Sequence, residues 1–225
     1  MPSISIVFQY TVDSEIQRVK ETLNNLEWFT KNNYRFSLPA SIRHSADIQM
    51  EIIRKAVENE YDLCIYQIAQ SAILKSWCGN NGFVRTINQK MIGTYLLSEM
   101  TIILTRYGTQ GSYKVPNSVV VNISNVPNEY IIKTVIHESF HLMTECLIKK
   151  YSVEHWVKER IVDLIIDFEY KSRFKMQSVP DWVLATDVIF RKYYPNIVLI
   201  TRKASKIKAT AHSTENMQGP SGQID

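Results

Sequence analysis

The 225-residue sequence predicts an α+β fold, a small mixed sheet with helices packed against it. Three observations predict it. Short β-branched runs occur at three separated places, apolar residues at helical spacing fill most of the remainder, and no internal repeat links them. Strands are expected near residues 3–9, 100–106 and 118–124.

At the N-terminus Ile4, Ile6, Phe8 and Tyr10 alternate with Ser5, Val7 and Gln9, a period of two that describes a strand with one buried face. Asp13 or Ser14 is positioned to N-cap a helix running to about Trp28, with Ile16, Val19, Leu23 and Leu26 on one stripe. Ser45 is positioned to cap a second helix carrying Ile48, Ile52, Ile53 and Val57, and Leu63 to Trp77 reads as a third, with a strand start at Cys64-Ile65-Tyr66 as the alternative. Cys78-Gly79-Asn80-Asn81-Gly82 has the composition of a turn. Thr101 to Thr105 and Ser118 to Ile123 are β-rich, either a hairpin or two sheet neighbours. The strongest helix in the chain follows, about 128–150, then a break near Tyr151-Ser152-Val153 and a helix over about 154–172. Pro180 precedes a last helix from Asp181 to about Tyr194, beyond which the pattern fades. Residues 1–200 are expected to form one domain, with an N-terminal part over 1–117 and a second part over 118–200. Residues 201–225 are polar and carry Lys203, Lys206 and Lys208, the composition of a mobile tail.

Composition excludes several classes. With 45% hydrophobic and 21% charged residues the chain has ordinary globular proportions, and seven Gly with seven Pro are too few for a fibrous or low-complexity sequence. A formal charge of +4 gives no case for nucleic acid, and the tail lacks interleaved aromatics. Cys64, Cys78 and Cys146, odd in number and widely spaced, suit small buried positions in a reducing compartment. Met1 to Gln9 has neither a basic region nor a long apolar run, so no signal peptide is expected. No apolar stretch approaches the roughly 18 residues of a membrane helix, and a cytoplasmic location is the default.

The chemistry is concentrated in His137-Glu138-Ser139-Phe140-His141. Residues four apart on a helix share one side, one turn displaced, so both imidazoles can reach one metal ion. Glu138 stands about 100° round the wheel from His137, where a carboxylate can accept a proton from a metal-bound water. The motif sits in an apolar run of Ile131, Ile132, Val135, Ile136, Phe140, Leu142 and Met143, with no other charge from Thr134 to Met143. Two histidines and a glutamate on a buried stripe are costly to desolvate, and a cation supplies the partner they need. Two imidazoles leave a zinc site one ligand short of the usual three plus water. Glu159 and Asp163, four apart on the next helix beside Trp156, Val157, Val162 and Ile166, offer it. The spacing favours Glu159 as the ligand and Asp163 as the acceptor for the Nδ1–H of a ligand histidine. Asp163 as the ligand, or Glu145 on the histidine stripe itself, are the alternatives.

Thr134-Val-Ile-His137-Glu138-Ser-Phe-His141-Leu-Met143 resembles the extended zincin metallopeptidase motif, and Glu159-x-x-x-Asp163 is similar to the second motif of its gluzincin branch. The resemblance covers about residues 118–170. It implies a compact zincin-like fold with a two-helix metal site, a Zn2+ cofactor on His137, His141 and Glu159, and Glu138 as the general base in hydrolysis of a peptide or protein substrate. It also implies a sheet-edge strand that pairs with extended substrate. Val119 to Ser124, directly before the metal helix, is the expected strand, with Val120, Val121 and Asn122 as its substrate-binding residues. Members of the family commonly add a Tyr or His that stabilises the oxyanion. Tyr170, Tyr193, Tyr194 and His155 follow the motif, and none has a diagnostic spacing. Two other readings stand beside this one: a regulatory or protein-binding module on the same scaffold, and a helical scaffold without metal.

Overall fold

A computed structural model describes residues 4–42, 48–124, 127–171 and 174–208. Its four-stranded sheet runs β1 (Ser5–Gln9), β2 (Glu99–Thr105), β4 (Ser118–Asn122), β3 (Gly111–Lys114) from edge to edge. β1, β2 and β4 are mutually parallel, with Ile6 opposite Met100 and Ile102 opposite Val119. β3 is antiparallel to β4 and places Tyr113 opposite Val119. The two central β-rich runs are therefore parallel neighbours, not a hairpin. The antiparallel strand between them in sequence was not expected, because four residues are too few to display a period.

The chain divides into two compact units. The first comprises residues 1–89 and 96–143 and contains the sheet, α1 (Val12–Asn24), α2 (Leu26–Lys31), α3 (Met50–Glu60) and most of α4 (Leu63–Lys90). The boundary at 143 falls within α5 (Asn128–Lys150). Ile16, Val19 and Leu23 of α1 pack with Ile53, Ala56 and Val57 of α3 and with Tyr107, which is what the helical stripes foretold. Thr11, not Asp13 or Ser14, caps α1; Ser14 is its partner three residues on, and the two side chains satisfy each other's backbone N–H groups. The helix stops at Asn24 rather than Trp28, and the next one is short. Ser45 lies outside the described residues, and α3 begins at Met50.

The expected turn at 78–82 is the middle of a 28-residue helix. Buried Ile73, Trp77, Val84 and Ile87 flank it on one face. That packing outweighs the roughly 1 kcal/mol that each of Gly79 and Gly82 costs a helix interior. All three cysteines are unpaired and exposed rather than buried. No helix of the described residues is long and apolar enough to cross a membrane.

The second unit comprises residues 90–95 and those from 144 onward. It contains α6 (His155–Glu169), a 3₁₀ turn (Asp181–Leu184), α7 (Ala185–Tyr193) and α8 (Ile197–Ala204). Segment 90–95 is tied in by Lys90 Nζ to Glu169 Oε1 at 2.6 Å and by the Ile92 N–H to the Pro195 carbonyl at 3.0 Å. Arg160 forks onto Asp187 of α7 at 2.8 and 2.6 Å. α8 lies where the sequence pattern fades: Ile197, Ile200 and Ala204 are buried, and Asn196 caps it through the Leu199 N–H. Residues 209–225 of the expected tail lie outside the described residues.

Candidate metal centre

α5 is buried on every side from Thr134 to Thr144. A helix this enclosed must satisfy its polar side chains locally. Ser139 returns its hydroxyl to the Val135 carbonyl at 2.6 Å, and Thr134 does the same to Tyr130 at 2.9 Å. His137 and His141, one turn apart, bring their Nε2 atoms to 3.0 Å, with ring planes 75° apart. His141 stacks on Tyr113 of β3 at 5.0 Å between centroids and 12° between planes, which fixes its ring.

α6 is buried from Glu159 to Ile166. One ligand atom each from His137, His141 and Glu159 lies within 4.8 Å of the others, and all three residues are buried. Two ligands held about 2.0–2.1 Å from a tetrahedral ion stand about 3.3 Å apart, close to the imidazole spacing here. Two imidazole nitrogens and one carboxylate oxygen, all on buried residues, make a donor set that fits a divalent ion. The cluster takes Glu159 among the alternatives that the sequence left open. Glu145 pairs with Lys149 at 3.2 Å. Asp163 Oδ2 accepts a 2.6 Å bond from the Gln177 backbone N–H.

Glu138, also buried, lies against β3. A Cβ added to Gly111 would stand 2.6 Å from Glu138 Oε1 and 2.4 Å from Thr134 Cγ2, so the missing side chain at 111 is the room the carboxylate occupies. The charge of Glu138 also reaches Arg18 of α1, a buried guanidinium that burial holds below its ordinary value against the opposing pull of Glu21, Glu15 and Glu138. Arg18 ties the β2–β3 connection together, donating to Thr109 Oγ1 and Ser112 Oγ at 3.2 Å each and to the Tyr107 carbonyl at 3.4 Å.

The expected substrate strand needs correction. Val120, Val121 and Asn122 belong to β4, which is hydrogen-bonded to β2 on one side and β3 on the other and has no open edge. Asn122 spends its amide on Ser37 Oγ at 2.9 Å and the Gly108 carbonyl at 3.0 Å. The edge strand beside the histidine helix is β3, and nothing in four residues spelled Gly-Ser-Tyr-Lys announced it. Proximity in sequence to α5 pointed to the wrong neighbour. Among the residues considered for an oxyanion, Tyr194 donates to Glu169 at 2.6 Å, and its hydroxyl is pushed well up, by burial first and then by that carboxylate. Tyr193 lies between Lys192 and Lys203. His155 Nδ1 stands 4.0 Å from Glu159 Oε1, and burial holds its imidazole below the ordinary value.

No family model matches the chain, and neither a curated protein nor a solved structure matches it.

Proposed function

We propose that this protein is a zinc-dependent peptide hydrolase of gluzincin type. The observation that carries the reading is the convergence of buried His137, His141 and Glu159 next to a fourth buried side chain, Glu138, that is not among the ligands. His137, His141 and Glu159 would hold the ion, with zinc as the metal that two imidazoles and a carboxylate suit best. When bound, the ion supplies Lewis-acid polarisation of a carbonyl and acidification of water toward neutral pH.

The chain's own residues do the rest. Glu138 accepts a proton from the attacking water as the water oxygen adds to the peptide carbonyl carbon. The same carboxyl then gives that proton to the amine nitrogen as the C–N bond breaks. Gly111 keeps the carboxylate's place clear, and Tyr113 holds the plane of His141. An extended peptide would add to the outer edge of β3, where main-chain pairing makes recognition tolerant of sequence. Burial of the whole motif excludes bulk water from the proton's path.

The test is cleavage of a mixed peptide library by the purified full chain, with and without a chelator, alongside elemental analysis. One zinc per chain and cleavage that a chelator stops and zinc restores is the expected result. Protein purified without chelator that contains no divalent metal and shows no melting shift with added zinc would overturn the reading.

A further inference from the structure

We infer that Gln177 is a positioning residue that sets the plane of the Glu159 carboxylate, an inference that rests on the metal-site reading above. Gln177 lies in segment 175–180, which has no regular secondary structure, so hydrogen bonds from α6 decide where it sits. Three such contacts arrive at two consecutive residues. Asp163 Oδ2 takes the Gln177 backbone N–H at 2.6 Å, Arg160 Nη1 meets Met176 Sδ at 3.4 Å, and Gln177 Nε2 reaches Glu159 Oε2 at 3.5 Å. Arg160 is itself locked by its fork onto Asp187. The segment is thus pinned one turn of α6 away from Glu159, and the side-chain amide has a fixed reach to the carboxylate.

Each oxygen of Glu159 then has its own neighbour. Oε1 is 3.2 Å from Lys158 Nζ, and Oε2 faces Gln177. A carboxylate held at both oxygens loses little rotational freedom when it becomes a ligand. The choice of an amide has a physical reason. Lys158 orients the group but adds a positive charge beside a dication, whereas glutamine donates without charge. The acidic pair on α6 therefore divides its work: Asp163 fixes the segment, and the segment fixes Glu159.

A donor at this distance is weak alone, so the expected effect is about tenfold in metal affinity, the low end of the range for groups that support a metal ligand. The experiment is competition of the full chain with a chromophoric chelator for zinc, in the parent and in Gln177→Leu and Gln177→Met. Two variants of different shape are used so that one folding failure leaves the other. Zinc bound about tenfold more weakly in the folded variants, with metal-free melting temperatures near the parent's and shifted visible bands in the cobalt-substituted protein, is the result expected. Variants that match the parent in zinc affinity and cobalt spectrum overturn the role of Gln177 alone. A lowered metal-free melting temperature with an unchanged cobalt spectrum assigns Gln177 to packing and overturns it too. A parent chain that binds no zinc overturns the metal site and this inference together.

Discussion

Glu15 and Glu159 are both buried, and they serve opposite ends. Glu15, fully enclosed on α1, accepts from the Tyr66 hydroxyl at 2.5 Å, the Thr105 hydroxyl at 2.5 Å and the Arg106 N–H at 2.8 Å. Every neighbour brings a hydrogen, and the carboxylate stitches α1 to α4 and to the end of β2. Glu159 on α6 has Lys158 and Gln177 at its oxygens, and one of its oxygens lies within ligand reach of two imidazole nitrogens. Ring nitrogens of that kind can ligate a metal ion. Burial marks both residues equally, so burial does not separate structure from chemistry. The kind of atom facing the carboxylate does.

Removing each acid should expose the difference. Glu159→Ala should bind zinc about two to three orders of magnitude more weakly, one ligand's share of the ~10–16 kcal/mol a four-ligand site releases. Its metal-free fold should persist, and a chelator competition with a circular dichroism spectrum checks both. Glu138→Gln sharpens the contrast from the other side. It should keep one zinc per chain and lose peptide cleavage by about 10²–10⁴-fold, the usual worth of a general base, as read from kcat/KM. Full activity in that variant would remove Glu138 from its role.

Glu15→Ala should do the reverse of Glu159→Ala. It strands three buried donors at about 1–3 kcal/mol for the first and less for each that can turn to another acceptor, so unfolding in denaturant should show a loss of roughly 2–4 kcal/mol. Zinc stoichiometry of the folded fraction should be unchanged. Gly111→Ala should lower stability by about 1–3 kcal/mol, because its Cβ must displace Thr134 or Glu138 from a packed interior. Cleavage should fall with zinc retained, which separates this variant from a ligand mutant.

The smallest effect is one of pH. Burial raises the Glu15 carboxyl above its ordinary 4.5, outweighing the bonds from Thr105, Tyr66 and Arg106 that lower it. A group whose folded pKa is raised binds its proton more tightly in the folded chain. Its stabilising contribution is complete below 4.5 and is lost as pH rises through the higher folded value. Wild type should therefore gain stability relative to Glu15→Gln as pH is lowered from neutral toward 4.5, measured as paired denaturant curves. A gap that narrows instead would show that the bonds outweigh burial.

Much of the candidate site was legible. The His137 and His141 pair, the break after Lys150 and the place of Glu159 on α6 depend on spacing along one or two helices, and helical spacing is written directly in the chain. The misreadings share a cause. The turn expected at Cys78 to Gly82 follows local preference, and the buried face of α4 overrides it. The strand assigned to substrate follows sequence proximity, and sheet order is set by pairing, which inserts β4 between β2 and β3. Gln177 stands in an irregular stretch where no periodicity could single it out.

The sequence by itself determined which helix carries the histidines, which carboxylate stands a fixed rotation away from them, and that an α+β core would enclose them. These are properties of neighbours along the chain, and helix geometry converts them into directions. Tertiary structure alone decided that β3 is an edge strand beside the histidine helix, that Gly111 yields its space to Glu138, that Tyr113 covers His141, and that a loop glutamine meets Glu159. Each of those joins residues far apart in sequence, and such meetings are settled only when the packing of the whole core fixes where the strands and loops can lie.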